Sequence, residues 1–168
     1  MSSDADLKNA RMVYYESDMA ELETVLKRLL DLSRAKRALL IDIEGHMVAT
    51  CGDGGDQTDL ENISALVAGT FAATKETAKL LGEEEFSVLF HQGETDSIQL
   101  TLVDDRLLLG IIFDDATTIG MVRLYASETA KKVMDVLGRE HSGSETSTML
   151  DDDFGESVET ELDNFFGE

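Results

Sequence analysis

The chain has 168 residues, with 35 acidic against 14 basic, a formal net charge of −21 and one cysteine, Cys51. That length fits one domain plus a tail and is enough to bury a core. The acidity repels nucleic-acid backbones and anionic lipid, no apolar run reaches the ~18 residues of a membrane span, and a lone cysteine rules out an intrachain disulfide and fits the cytoplasm.

Residues 1–12 are polar and read as a flexible arm. They have no basic stretch followed by an apolar one, so no secretory signal is expected. A first helix is predicted from Glu16 to Leu32, with Asp18 and Glu21 as its start signal. Leu22, Val25, Leu26, Leu29 and Leu30 form its buried stripe. Two strands follow, Arg37–Ile43 and His46–Cys51, joined by a turn at Glu44-Gly45 where Gly45 suits a positive φ. The loop Gly52-Asp53-Gly54-Gly55-Asp56 then breaks the chain.

A second helix is predicted from Asp59 to Leu81. Thr58 and Glu61 make a capping box at its start, and Gly82 stops it. At about 100° per residue, Ile63, Val67, Thr70, Thr74, Ala78 and Leu81 gather as a core stripe. The opposite side carries Ala65, Ala68, Gly69 and Ala72, with Glu76 at its far end and Lys75 and Lys79 beside it. Small side chains there let another backbone come close. Two readings stand: packing within the subunit, or an intermolecular surface.

Three more strands are predicted at Phe86–Gln92, Ser97–Val103 and Arg106–Phe113, the last two joined at Asp104-Asp105. The run from Leu107 to Phe113 is almost wholly apolar, as in a central strand covered on both faces. A last helix runs from Thr117 or Thr118 to Gly138, with Val122, Ala126, Thr129, Ala130, Val133 and Leu137 as its stripe. Short links between neighbouring strands imply an antiparallel sheet with helices on its faces, an α+β class.

The linker and tail, residues 139–168, hold ten acidic residues and one basic. Val158, Leu162, Phe165 and Phe166 would share one side of a short helix. Such a stripe docks into a partner groove in many acidic segments; a solubilising tail is the other reading.

The chemistry-bearing patterns are missing. No phosphate-binding Lys follows Gly52-Asp53-Gly54-Gly55, and there is no Gly-x-Ser-x-Gly. His46, His91 and His141 are not spaced with one another or with Cys51 as zinc ligands are, so no metal site is expected. His91 reads as an edge-strand polar residue or an interface residue. The chain is expected to be no enzyme in its own right and to need no cofactor.

The order of elements resembles the roadblock family, the dynein light-chain roadblock type. The matching stretches are Leu40-Ile41-Asp42-Ile43-Glu44-Gly45, Leu66-Val67-Ala68-Gly69-Thr70-Phe71-Ala72-Ala73, Ala78-Lys79-Leu80-Leu81-Gly82-Glu83, Phe90-His91-Gln92-Gly93-Glu94, Ile112-Phe113-Asp114 and Gly120-Met121-Val122-Arg123-Leu124. The likeness covers about residues 12–138, with 13–138 as the domain. The ending, Asp151-Asp152-Asp153 with Leu162-Asp163-Asn164-Phe165-Phe166, is similar to tails in the bacterial polarity branch of the family.

The resemblance implies the order α-β-β-α-β-β-β-α with a five-stranded sheet. It implies a homodimer that binds the GTP-bound form of a Ras-like, MglA-type GTPase, two subunits to one, and stimulates hydrolysis in bacterial polarity and motility. It places Phe86, Val88, Phe90 and His91 at a dimer seam where third strands pair edge to edge. It places Ala65, Ala68, Gly69, Ala72, Ala73, Glu76 and Lys79 on the GTPase-binding face. The apolar stripe of the tail makes Leu162, Phe165 and Phe166 its expected docking residues. The resemblance also implies a cytoplasmic protein concentrated at a cell pole. The alternatives are a non-activating roadblock scaffold and a profilin- or PAS-like small-molecule sensor.

Overall fold

Strong helix formers and heptad-like leucine spacing make the first element a helix, and alternating β-branched and leucine runs make the strands. In the computed structural model, residues 16–139 are described. Helix α1 spans Glu16–Ser33, followed by β1 Arg37–Asp42, β2 Met47–Gly52, α2 Gln57–Leu80, β3 Val88–Gln92, β4 Ser97–Asp104 and β5 Leu107–Phe113. A last helix, α3, covers residues 119–139. The chain divides into two compact units, Met1–Met134 and Asp135–Glu168. The sheet and both candidate surfaces belong to the first. The expectations for the arm 1–12 and for the tail residues Leu162, Phe165 and Phe166 lie outside the described residues.

All strand pairs are antiparallel, in the order β2-β1-β5-β4-β3. The apolar run Leu107–Phe113 forms β5, in the middle, as its hydrophobicity requires; β3 lies at one edge. Side chains alternate across the sheet. Leu39, Ile41 and Leu108 therefore face α2, where they cluster with Leu60 and Phe71. The other face is left to α1, which packs on β1 and β2, and to α3. Leu22, Leu26 and Leu29 of α1 and Val122, Ala126 and Val133 of α3 are buried. Among the described residues, no helix is long and apolar enough to cross a membrane.

Three local expectations are corrected. The cap of α2 is Asp56, whose carboxylate accepts from Asp59 N–H at 2.8 Å. Thr58 and Glu61 fall inside the helix because Gly54 and Gly55, both at positive φ, deliver the chain to Asp56. Helix α1 is already under way at Glu16, so Asp18 lies within it. At the other end of α2, Gly82 does stop the helix. It sits at φ +81, with Gly82 N–H donating to Lys79 O and Glu83 N–H to Ala78 O. That pair of bonds is the Schellman arrangement, which satisfies the last carbonyls.

The third correction concerns the stripe of α2. Leu60, Ser64, Ala68, Phe71 and Ala78 are buried. Ile63, Val67 and Thr74 are half-buried, while Thr70 and Leu81 are exposed. The inward face is thus rotated by roughly half of a 100° step from the one expected. Phe71 is the largest apolar group on the helix, and its burial together with Leu60 sets the rotation.

Candidate functional site

Rotation of α2 decides which small residues face outward. Ala65, Gly69, Ala72, Ala73, Glu76 and Lys79 are exposed, but Ala68 is only 5% exposed and belongs to the core. Ala68 therefore leaves the candidate contact set. Ala65 has a partly internal reason to be small. A Cβ added at Gly45, in the β1–β2 turn, would lie 2.9 Å from Ala65 Cα. The turn thus rests against α2 at that point.

Gly69 is different. A Cβ added there would meet nothing within 4 Å. Glycine inside a helix costs about 1 kcal/mol relative to alanine, and among the described residues no neighbour accounts for it. Around Gly69 the face also carries exposed leucines that periodicity alone did not assign. Leu66 is 71% and Leu80 is 89% exposed. On a helical wheel Leu66 falls beside Gly69 and Ala73, so the sequence places it outward when Phe71 points inward. These open leucines and the smooth stripe make the outward side of α2 largely apolar.

Charge frames this surface. Lys79 Nζ donates to Glu76 Oε1 at 2.8 Å. That hydrogen bond, aided by the lysine charge, holds the Glu76 carboxyl below its ordinary value. Lys75 reaches Glu85 at 3.8 Å, tying α2 to the segment before β3.

At the sheet edge, Val88 and His91 are exposed. Phe86 and Phe90 are half-buried. Phe90 stacks on Phe113 with centroids 6.0 Å apart, so part of its surface is already used inside the subunit. Beside Val88, a groove between β4 and α3 is lined by Gln99, whose Oε1 is buried and has no hydrogen-bond partner among the described residues.

The two candidate regions meet. Ile63, Leu66 and Val67 of α2 and His91, Ile98 and Ile112 of the sheet line one open groove of about 500 Å³. The β3–β4 turn beside it is fixed by Lys36, whose Nζ lies 2.9 Å from Asp96 and 4.0 Å from Asp114. The Asp96 hydrogen bond raises the Lys36 pKa. The edge strand and the outer face of α2 thus form adjoining parts of one surface rather than two distant sites.

An antiparallel sheet in this strand order, with α2 alone on one face and a smooth exposed helix beside an open edge, defines a roadblock-type module. The family model for the Roadblock/LC7 domain matches residues 21–113, and the chain belongs to that family. Among solved structures it is similar to the gliding protein MglB of Thermus thermophilus, at 30% identity and TM-score 0.71, over 76% of this chain and 96% of that one. It is also similar to an MglB with a tetrameric arrangement, at 30% identity and TM-score 0.72 over the same shares. Myxococcus xanthus MglB shares 33% identity, with TM-score 0.67, over 71% of this chain and 96% of that one. No curated protein matches the sequence.

Proposed function

We propose that this protein is an MglB-like regulator that binds, as a homodimer, an MglA-type Ras-like GTPase in its GTP form and stimulates hydrolysis. The observation that carries the reading is the outer face of α2 at Gly69, where a Cβ added to the exposed glycine would meet nothing within 4 Å among the described residues. Likeness to MglB over most of the chain supports the choice of partner. The contact set is Ala65, Gly69, Ala72, Ala73, Glu76 and Lys79, extended by Leu66.

Acceleration would be indirect. Many activators supply an arginine to the developing charge on the phosphates. No arginine lies between Gln57 and Leu80. Arg37 is held internally, donating to Gly52 O at 2.8 Å, Thr50 Oγ1 at 3.1 Å and Asp53 O at 3.3 Å. The smooth outer faces of α2 from the two subunits instead favour one arrangement of the GTPase switch segments, a population shift. The GTPase then contributes its own catalytic groups.

The test is single-turnover GTP hydrolysis by the GTPase with and without this protein, repeated with each of the seven arginines replaced by alanine. Acceleration that survives every replacement is the expected result. One variant that binds normally yet loses all acceleration overturns the indirect mechanism. Binding without acceleration by the unaltered protein supports the scaffold reading, which the same arginine-free face also favours.

Dimerisation through β3 makes a separate prediction. Val88 is 40% exposed at the open edge. Val88→Asp should convert a dimer to monomers in light scattering, because a closed symmetric seam would then hold two added like charges. A rise of at least about 100-fold in the dimer dissociation constant is expected. An unchanged dimer would move the seam away from β3.

A further inference from the structure

The tip of the β1–β2 hairpin carries three groups with metal-ligand chemistry. Asp42, Glu44 and His46 alternate with Ile43 and Gly45, and the turn brings one donor atom from each within 4.8 Å of the others. Spacing of histidine and cysteine alone missed this cluster, because two of its three members are carboxylates.

The distances suit a small ion. His46 Nδ1 lies 3.1 Å from Asp42 Oδ2 and 3.8 Å from Glu44 Oε2. A zinc-sized ion about 2.1 Å from each donor in tetrahedral geometry needs donor–donor edges of about 3.4 Å. The observed values fall on either side of that figure, and the 3.1 Å contact is a hydrogen bond between His46 and Asp42 that an ion would replace.

The backbone already holds the frame. Gly45 N–H donates to Asp42 O at 3.0 Å, Asp42 N–H to His46 O at 2.9 Å and Ile43 N–H to Arg106 O at 3.0 Å. Gly45, at φ +97, is pressed against Ala65. Asp42 Oδ1 accepts the His46 backbone N–H at 2.9 Å, which fixes the carboxylate and leaves Oδ2 beside the imidazole. A ligand carboxylate that is itself hydrogen-bonded is the usual second layer of a metal site.

Charge favours a cation too. Among the described residues, neither Asp42 nor Glu44 has a Lys or Arg ion-pair partner, and the whole chain carries −21.

We propose that Asp42, Glu44 and His46 form a three-ligand site for a divalent transition-metal ion of the zinc type. One imidazole nitrogen with two carboxylates suits zinc, cobalt or nickel better than the all-oxygen shells of calcium or magnesium. Water completes the coordination, since His46 is 67% and Glu44 72% exposed. The site stands independently of the GTPase reading.

The experiment titrates the full chain with Zn²⁺ by calorimetry and with Co²⁺ by visible absorption and NMR. The acidic tail offers carboxylates of its own, so His46→Asn and Glu44→Gln are run in parallel with the tail present. Both residues are exposed, and circular dichroism checks that each variant keeps its fold. The expected result is one tight equivalent per chain, with Co²⁺-induced shifts centred on residues 42–46. His46→Asn should weaken that equivalent at least about ten-fold. Equal binding by His46→Asn, shifts confined to the tail, or no saturable binding by the unaltered protein would each overturn the site.

Discussion

Phe71→Ala is expected to cost about 3–5 kcal/mol in urea or thermal unfolding, the range for removing a buried aromatic and leaving a cavity. Phe71 is 6% exposed and packs in the cluster formed by Leu39, Ile41, Leu60 and Leu108. Those partners come from β1, α2 and β5, so the ring ties α2 to the middle of the sheet. A domain of this size has about 5–15 kcal/mol of stability in all. The loss is therefore a large share of the total. Phe71→Leu, which keeps most of the volume, should lose about half as much or less. A loss under about 1 kcal/mol for Phe71→Ala would mean that α2 is held mainly by something outside its own sheet.

The same ring explains what was legible in the sequence and what was not. Element types and order follow from local pattern alone: the leucine stripe of α1, the apolar run of β5 and the stop at Gly82 all stand where the residues put them. Strand ends differ by one or two residues, since hydrogen-bond ladders stop where partners stop rather than where hydrophobicity fades. The rotation of α2 was harder. Its apolar residues lie all round the helix, so periodicity admits two stripes a small angle apart. Which one faces inward depends on how Leu60 and Phe71 fit the sheet, and that is tertiary information. The cost was one wrong contact residue, Ala68, and two unassigned outward leucines, Leu66 and Leu80. Asp56 as the cap of α2 was hidden for a similar reason. Two glycines at positive φ set the path into the helix, and composition does not reveal which polar residue that path presents.

Ala72→Arg should abolish GTPase binding and stimulation while leaving the fold intact. Ala72 is exposed on α2, and alanine and arginine differ little in helix propensity. A change of about 0.5 kcal/mol or less in stability is therefore expected. At the contact the effect is the opposite. A long cation where small side chains admit close approach would hold two surfaces apart and leave Gly69 and Ala73 uncovered. Loss of at least about 100-fold in affinity, or about 3 kcal/mol, is expected. Ala20→Arg is the control, because Ala20 is also exposed but lies on α1. It should bind and stimulate as the unaltered protein does. The comparison with Phe71, one residue earlier on the same helix, separates the two roles of α2. Truncating the inner residue should lower the melting temperature, whereas enlarging its outward neighbour should leave melting unchanged and silence the partner. If Ala72→Arg instead melts several degrees lower and still binds, the smooth face packs within the subunit. If it melts and binds normally, the GTPase is met elsewhere.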